Sequence, residues 1–198
     1  MKFLHRPDLF CWSEFNSERN IDFHSIAWIR AAGNILIDPL PLSAIDLAHL
    51  QSLGGASWIV ITNSDHIRAS QEIAAKTGAQ IAAPQGERAT FPIAVDRWLA
   101  DGDPVVPGLE AIELHGSKTP GELALLLEAT TLIAGDLVRA HRAGSLMLLP
   151  DAKLVDRDLA LASVRRLAEL HQVETVLVGD GWHVFDQGHL QLQALCAK

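Results

Sequence analysis

The sequence predicts a layered α+β sandwich, two β-sheets packed face to face with helices on both outer surfaces. Three observations carry this. Antiparallel strand pairs occur in both halves of the chain, helices are interspersed with them in both halves, and no Gly-, Pro- or Ser-rich linker or internal repeat divides the 198 residues. One domain over residues 1–198 is therefore expected, a length sufficient to bury a continuous core.

The elements follow in order. Ser25–Arg30 and Ile35–Pro39 are apolar, β-prone runs around Gly33-Asn34, which reads as a hairpin. Trp58–Thr62 is a short buried strand after Gly54-Gly55. Residues 67–77 carry helix formers, with Gly78 as a C-terminal stop. Gln80–Pro84 then completes a β-α-β unit. In the second half Glu110–Leu114 alternates as a half-buried strand does. Leu123–Leu127 and Thr131–Ala134 frame the turn Glu128–Thr130 as an antiparallel pair. A helix over about 156–170 places Ala160, Val164, Leu167 and Ala168 on one face. Thr175–Val178 is a further buried strand, and 186–197 a closing helix.

Composition narrows the function classes. Hydrophobic residues make up 48% and charged residues 20%, the balance of a globular chain. The net charge of −8, from 16 Lys and Arg against 24 Asp and Glu, disfavours a nucleic-acid partner. The basic residues between 139 and 166 (Arg139, Arg142, Lys153, Arg157, Arg165 and Arg166) are interspersed with Asp151, Asp156 and Asp158 and read as a solvated mixed-charge face. Cys11 and Cys196 form no C-x-x-C pair and read as reduced, partly buried thiols. No stretch has the length of a membrane span, and charge and Pro interrupt the N-terminus before an apolar signal core could form. A cytoplasmic protein without a membrane partner, acting on a small molecule, is the expectation.

Charged residues follow directly on apolar strands at three places: Asp65-His66, Gly135-Asp136 and Gly179-Asp180-Gly181. Strand ends converge at one edge of a layered fold, so three carboxylates and an imidazole could share a cleft and bind one divalent cation. The order of these segments resembles the metallo-β-lactamase superfamily, whose motifs run T-H-x-H-x-D-H, G-H-T-P-G-H, G-D and P-G-H-G. Val60-Ile61-Thr62-Asn63-Ser64-Asp65-His66, Ser117-Lys118-Thr119-Pro120-Gly121-Glu122, Ala134-Gly135-Asp136 and Val178-Gly179-Asp180-Gly181 correspond to them in that order. The resemblance implies an αββα fold and a two-metal hydrolase. The first metal's ligand positions hold Ile61, Asn63 and Lys118, which do not bind metal. The second metal's positions hold Asp65, His66, Asp136 and Asp180, all of which can.

By this resemblance the chain is expected to be a metal-dependent hydrolase of an ester, thioester or lactone, with one divalent ion (zinc, manganese or iron). Asp65 or Asp136 would orient a metal-bound water and Lys118 would stabilise the oxyanion. The alternative is a non-catalytic binding or interaction protein in which Lys118 and the carboxylates form a metal-free ion-pair cluster. In that case Asp136→Asn should relieve repulsion and raise stability. His115 and His183 are off the family pattern, and His141, with Arg139 and Arg142, reads as a solvated loop charge.

Overall fold

The computed structural model describes residues 1–197. The first half builds one sheet from β1 (Lys2–Phe3), β2 (Leu9–Asn16), β3 (Ile21–Trp28), β4 (Ile35–Ile37), β5 (Trp58–Val60), β6 (Gln80–Pro84) and β7 (Arg97–Leu99), paired in that order. Its first four strands are antiparallel, and β4 to β7 run parallel. Helices α1 (Ala44–Ser52) and α2 (Ser70–Thr77) lie in the connections before β5 and β6. The second half builds a five-stranded sheet from β8 (Pro104–Val106), β9 (Leu109–Leu114), β10 (Glu122–Leu127), β11 (Thr131–Ala134) and β14 (Thr175–Val178). A separate ribbon pairs β12 (Val138–Arg142) with β13 (Ser145–Leu148), and α3 (Arg157–Ala168) and α4 (Gly188–Cys196) complete the chain.

Strand alternation sorts the side chains into three apolar layers. Between the sheets, Leu9, Ile26, Ile35 and Ile37 pack against Ala111, Leu123, Leu125, Ile133 and Leu177. On the outer face of the first sheet, Leu36, Ile59, Ile61 and Ile81 meet Leu50 of α1 and Ile73 of α2. On the outer face of the second, Ile112, Leu132 and Val176 meet Val164 and Leu167 of α3 and Leu192 and Leu195 of α4. This is the expected four-layer sandwich. The predicted hairpin, β-α-β unit and β10–β11 pair are all present, and Gly78 ends α2 in the left-handed conformation (φ 76°).

Two expectations need correction. The helix placed over 67–77 begins only at Ser70, and Asp65-His66 lies on a preceding 3-10 turn, Ser64–His66. Between them Arg68 takes a positive φ of 44°, turning its guanidinium to donate to the carbonyls of His24 and Asp38. Arg139 does not belong to a solvated face. It is 5% exposed, because β12 turns its side chain into the molecule between two carboxylates. Arg142, Lys153, Arg157, Arg165 and Arg166 are exposed as expected.

Candidate functional site: an ion-pair cluster at the strand ends

Three of the four strand-end segments line one cleft, and the fourth joins them through Arg139, which reaches both Asp136 and Asp180. The cleft between Asp65, His66, Lys118 and Asp136 has a volume of about 340 Å³ and is bordered by Arg19, Phe23, Leu40 and Arg68. Two tight approaches explain the glycines of the motifs. A Cβ at Gly135 would lie 2.8 Å from Thr62 Oγ1 and 2.9 Å from Glu122 Oε1, and one at Gly179 would lie 3.0 Å from the His66 ring. Any side chain there would push the strand ends apart.

Lys118 points into the cleft. Its ammonium lies 2.6 Å from Asp65 Oδ2 and 2.8 Å from Asp136 Oδ2, the pairing expected of a fixed charge where the family has a histidine. Burial works against the charge on Lys118, but Asp136 and Asp65 outweigh it and raise the pKa. Asp136 is itself buried, which opposes ionisation. His66 and Lys118 prevail and hold its carboxyl well below the usual carboxylate range. Asp180, also buried, is reached by Arg139 Nη2 at 2.7 Å, and the same nitrogen lies 3.4 Å from Asp136 Oδ1. His141, read as a solvated loop charge, is half exposed and lies 3.3 Å from Asp180 Oδ2.

One member of the cluster escaped sequence reasoning. Asp38 follows β4 and is buried, with a positive φ of 48° that aspartate tolerates better than most residues. It accepts from Thr62 N at 2.7 Å and from Thr62 Oγ1 at 2.6 Å, and it sits 2.8 Å from His66 Nδ1. The signal was available, since Ile37-Asp38 is also a charged residue directly after an apolar strand. His66 Nε2 lies 3.3 Å from Asp136 Oδ2, so the ring is held between two carboxylates. Burial alone would lower its pKa, but Asp38 and Asp136 override this and push it up to about 9.

That shift predicts a pH dependence. His66 binds its proton more tightly folded than unfolded, so its contribution is complete below pH 6.5 and is lost as pH rises through 9. A rise from 6.5 to about 9 is worth about 3 kcal/mol. Urea unfolding at pH 6 and at pH 9.5 should show a loss of that order, and His66→Gln should flatten it.

Glu122, whose position ends the second motif, is enclosed behind the cleft. Ser117 Oγ donates to it at 2.6 Å and Leu137 N at 2.8 Å. Burial and the nearby Asp136 charge push its pKa up to about 7. His115 is exposed, and its backbone N–H donates to Ser163 Oγ of α3, outside the cleft. His183 lies with Cys11 and His24, one sulfur and two ring nitrogens within 4.8 Å of one another, a group of metal-ligand composition apart from the four motif residues. Both cysteines are free thiols, Cys11 buried and Cys196 partly so.

A family model described as the metallo-beta-lactamase superfamily matches residues 1–198. The chain belongs to the metallo-β-lactamase superfamily. Solved members share its fold at low identity. A metallo-β-lactamase from Pontibacter korlensis superposes with a TM-score of 0.77 at 16% identity, over 98% of this chain and 96% of that one. A metallo-β-lactamase family protein from Thermus thermophilus gives 0.73 at 18% identity, over 97% and 79%. An archaeal superfamily protein from Sulfolobus tokodaii gives 0.67 at 16%, over 88% and 79%. No curated protein matches the sequence. Members of the superfamily usually bind divalent metals, so the fit of this chain's residues to such an ion matters.

The fit is poor at both of the family's metal positions. Ile61 is a core residue of the first sheet's outer face, Asn63 donates to Asp136 Oδ2 at 3.3 Å, and Lys118 brings a positive charge. At the second position His66 has a carboxylate at each ring nitrogen, Asp38 at Nδ1 and Asp136 at Nε2, which favours the protonated ring, and a metal would have to displace the Nε2 proton. Arg139 occupies the space between Asp136 and Asp180. The carboxylates Asp38, Asp65, Asp136 and Asp180 are faced by His66, Lys118 and Arg139, so the chain's own cations offset most of the cluster's negative charge. Among the described residues, no helix is long and apolar enough to cross a membrane.

Proposed function

We propose that this chain, as one domain over residues 1–198, uses the family cleft to bind a small molecule without metal, and that this cleft itself is not hydrolytic. The observation that carries the reading is the buried guanidinium of Arg139 between Asp136 and Asp180. With Lys118 it supplies the positive charge that divalent ions provide elsewhere in the family. Arg19 and Arg68 at the rim favour a ligand with an anionic group, such as a small carboxylate.

One observation favours the other reading, a one-metal hydrolase of an ester, thioester or lactone with Asp65, His66, Asp136 and Asp180 as ligands. Asp180 Oδ1 is buried and has no hydrogen-bond partner. A cation there would satisfy it, provided that Arg139 moved out and His66 gave up a proton.

Titration calorimetry with zinc, manganese and iron(II), beside melting curves with and without EDTA, separates the two. The metal-free reading expects no uptake that depends on Asp180 and a melting temperature indifferent to chelator. One equivalent bound by the wild type and lost in Asp180→Asn, with a chelator-lowered melting temperature, would establish the hydrolase site instead.

A further inference from the structure

The inner face of the β2–β3 hairpin carries chemistry that the family cleft does not use. Ser13 of β2 lies opposite His24 of β3, and Ser13 Oγ is 2.8 Å from His24 Nδ1. His24 Nε2 meets the carbonyl oxygen of Gly181, which can only accept. The neutral ring therefore carries its proton on Nε2 and presents the lone pair of Nδ1 to the serine hydroxyl. Burial lowers the His24 pKa from 6.5, which keeps the ring unprotonated at neutral pH.

The neighbouring His183 is set in the opposite sense. The backbone N–H of Val178 donates to its Nδ1 at 3.1 Å, which places the ring proton on Nε2. Burial, with His24 and His5 nearby, pushes its pKa down to about 3, so it stays a neutral N–H donor. The two rings lie 4.4 Å apart, and with Ser13 they line a cavity of about 380 Å³. Ser13 is exposed, so its hydroxyl is open to a ligand.

These proton positions decide between two uses of the same residues. Cys11 Sγ lies 3.7 Å from His24 Nδ1 and 3.8 Å from His183 Nε2, which by distance alone suits a metal. Ligation needs a lone pair on each nitrogen, and the Val178 N–H leaves His183 Nε2 protonated. A base on one side and an N–H donor on the other suit proton transfer and charge stabilisation better than coordination.

We propose that Ser13 is a nucleophile for acyl transfer from small carboxylic esters, with His24 as its general base, in a site separate from the ion-pair cleft and needing no metal. Ser13 Oγ bonds to the acyl carbon while its proton passes to His24 Nδ1, and the Gly181 carbonyl steadies the imidazolium through Nε2. The former carbonyl oxygen gathers negative charge and is met by the His183 Nε2–H. Collapse breaks the bond to the leaving alcohol, which departs with the proton from His24. A water deprotonated by His24 then attacks the acyl-serine. That releases the carboxylic acid and returns the proton to Ser13.

The test uses the full chain with p-nitrophenyl acetate and with a fluorophosphonate probe, each with and without EDTA, read by nitrophenol release and by intact and peptide mass. The expected result is one adduct, mapped to Ser13 in the wild type, with EDTA having no effect. Ser13→Ala and His24→Gln should each slow release by about 100-fold or more, with circular dichroism confirming that both variants are folded. Absence of an adduct, an adduct at Cys11 or elsewhere, or chelator-sensitive release would overturn the proposal. So would equimolar zinc uptake abolished by Cys11→Ser. Because the wild-type peptide map identifies the nucleophile directly, the outcome does not depend on any variant folding.

Discussion

Replacing Arg139 with Met should destabilise the protein more than any other single change in the cleft. The guanidinium is 6% exposed, and it provides Asp180's close ion pair at 2.7 Å; His141 is more distant and half exposed. Met fills much of the volume but leaves buried Asp180 with only the more distant His141 and takes one of three cations from Asp136, at a cost of about 3–5 kcal/mol. For a chain of this size that lowers the melting temperature by on the order of 10 °C. The double variant Arg139→Met/Asp180→Leu should recover most of the loss, since removing both charges also removes the desolvation cost. Differential scanning calorimetry of the two variants checks this. A single variant as stable as the wild type would show that Arg139 does not neutralise the cluster.

Asp136→Asn should also destabilise, by about 3 kcal/mol, with or without chelator. This reverses the sign that the sequence gives for a metal-free cluster. Counting Asp65, Asp136 and Asp180 against Lys118 alone makes Asp136 a surplus negative charge whose removal relieves repulsion. In the folded protein Asp136 lies 2.8 Å from Lys118, 3.3 Å from His66 and 3.4 Å from Arg139. It is the carboxylate on which three cations converge, so the isosteric amide takes from all three a close, buried counter-charge. Guanidinium unfolding at pH 7 measures the difference. An increase in stability would mean that the cations are not charged or not close, and would restore the simpler repulsion argument.

Much of the fold was legible because its signals are local. Apolar runs broken by Gly-Asn and Gly78, and the 3.6-residue stripe of α3, depend only on neighbours along the chain. Most of the missed elements have weak versions of those signals; β2 is the exception, an eight-residue strand paired along its whole length with β3. α1 is capped by Ser43, which accepts from Asp46 N, but the helix has only one buried residue, Leu50. β1, β7 and β8 are two or three residues long and are fixed by pairing rather than by pattern. The β12–β13 ribbon follows the Gly135-Asp136 motif and was absorbed into the charged stretch from 139.

The sequence by itself determined that Asp65, His66, Lys118, Asp136 and Asp180 would meet at one strand-end edge. Motif order specifies which strand each follows, and parallel β4–β5–β6 and β11–β14 bring those ends to the same side. Only the tertiary structure decided what their charges do. Asp38 and His66 are 28 residues apart and touch because two neighbouring strands end together. Arg139 is directed inward because β12 docks on the turn at Gly181. There Gly181 has a φ of 93°, and a Cβ would lie 2.0 Å from the Ala140 carbonyl oxygen. In the same turn the Gly181 carbonyl accepts from His24 Nε2, while the Val178 N–H sets the proton on His183. Electrostatic partners are chosen by distance and burial in three dimensions, and neither quantity is encoded in residue identity or spacing.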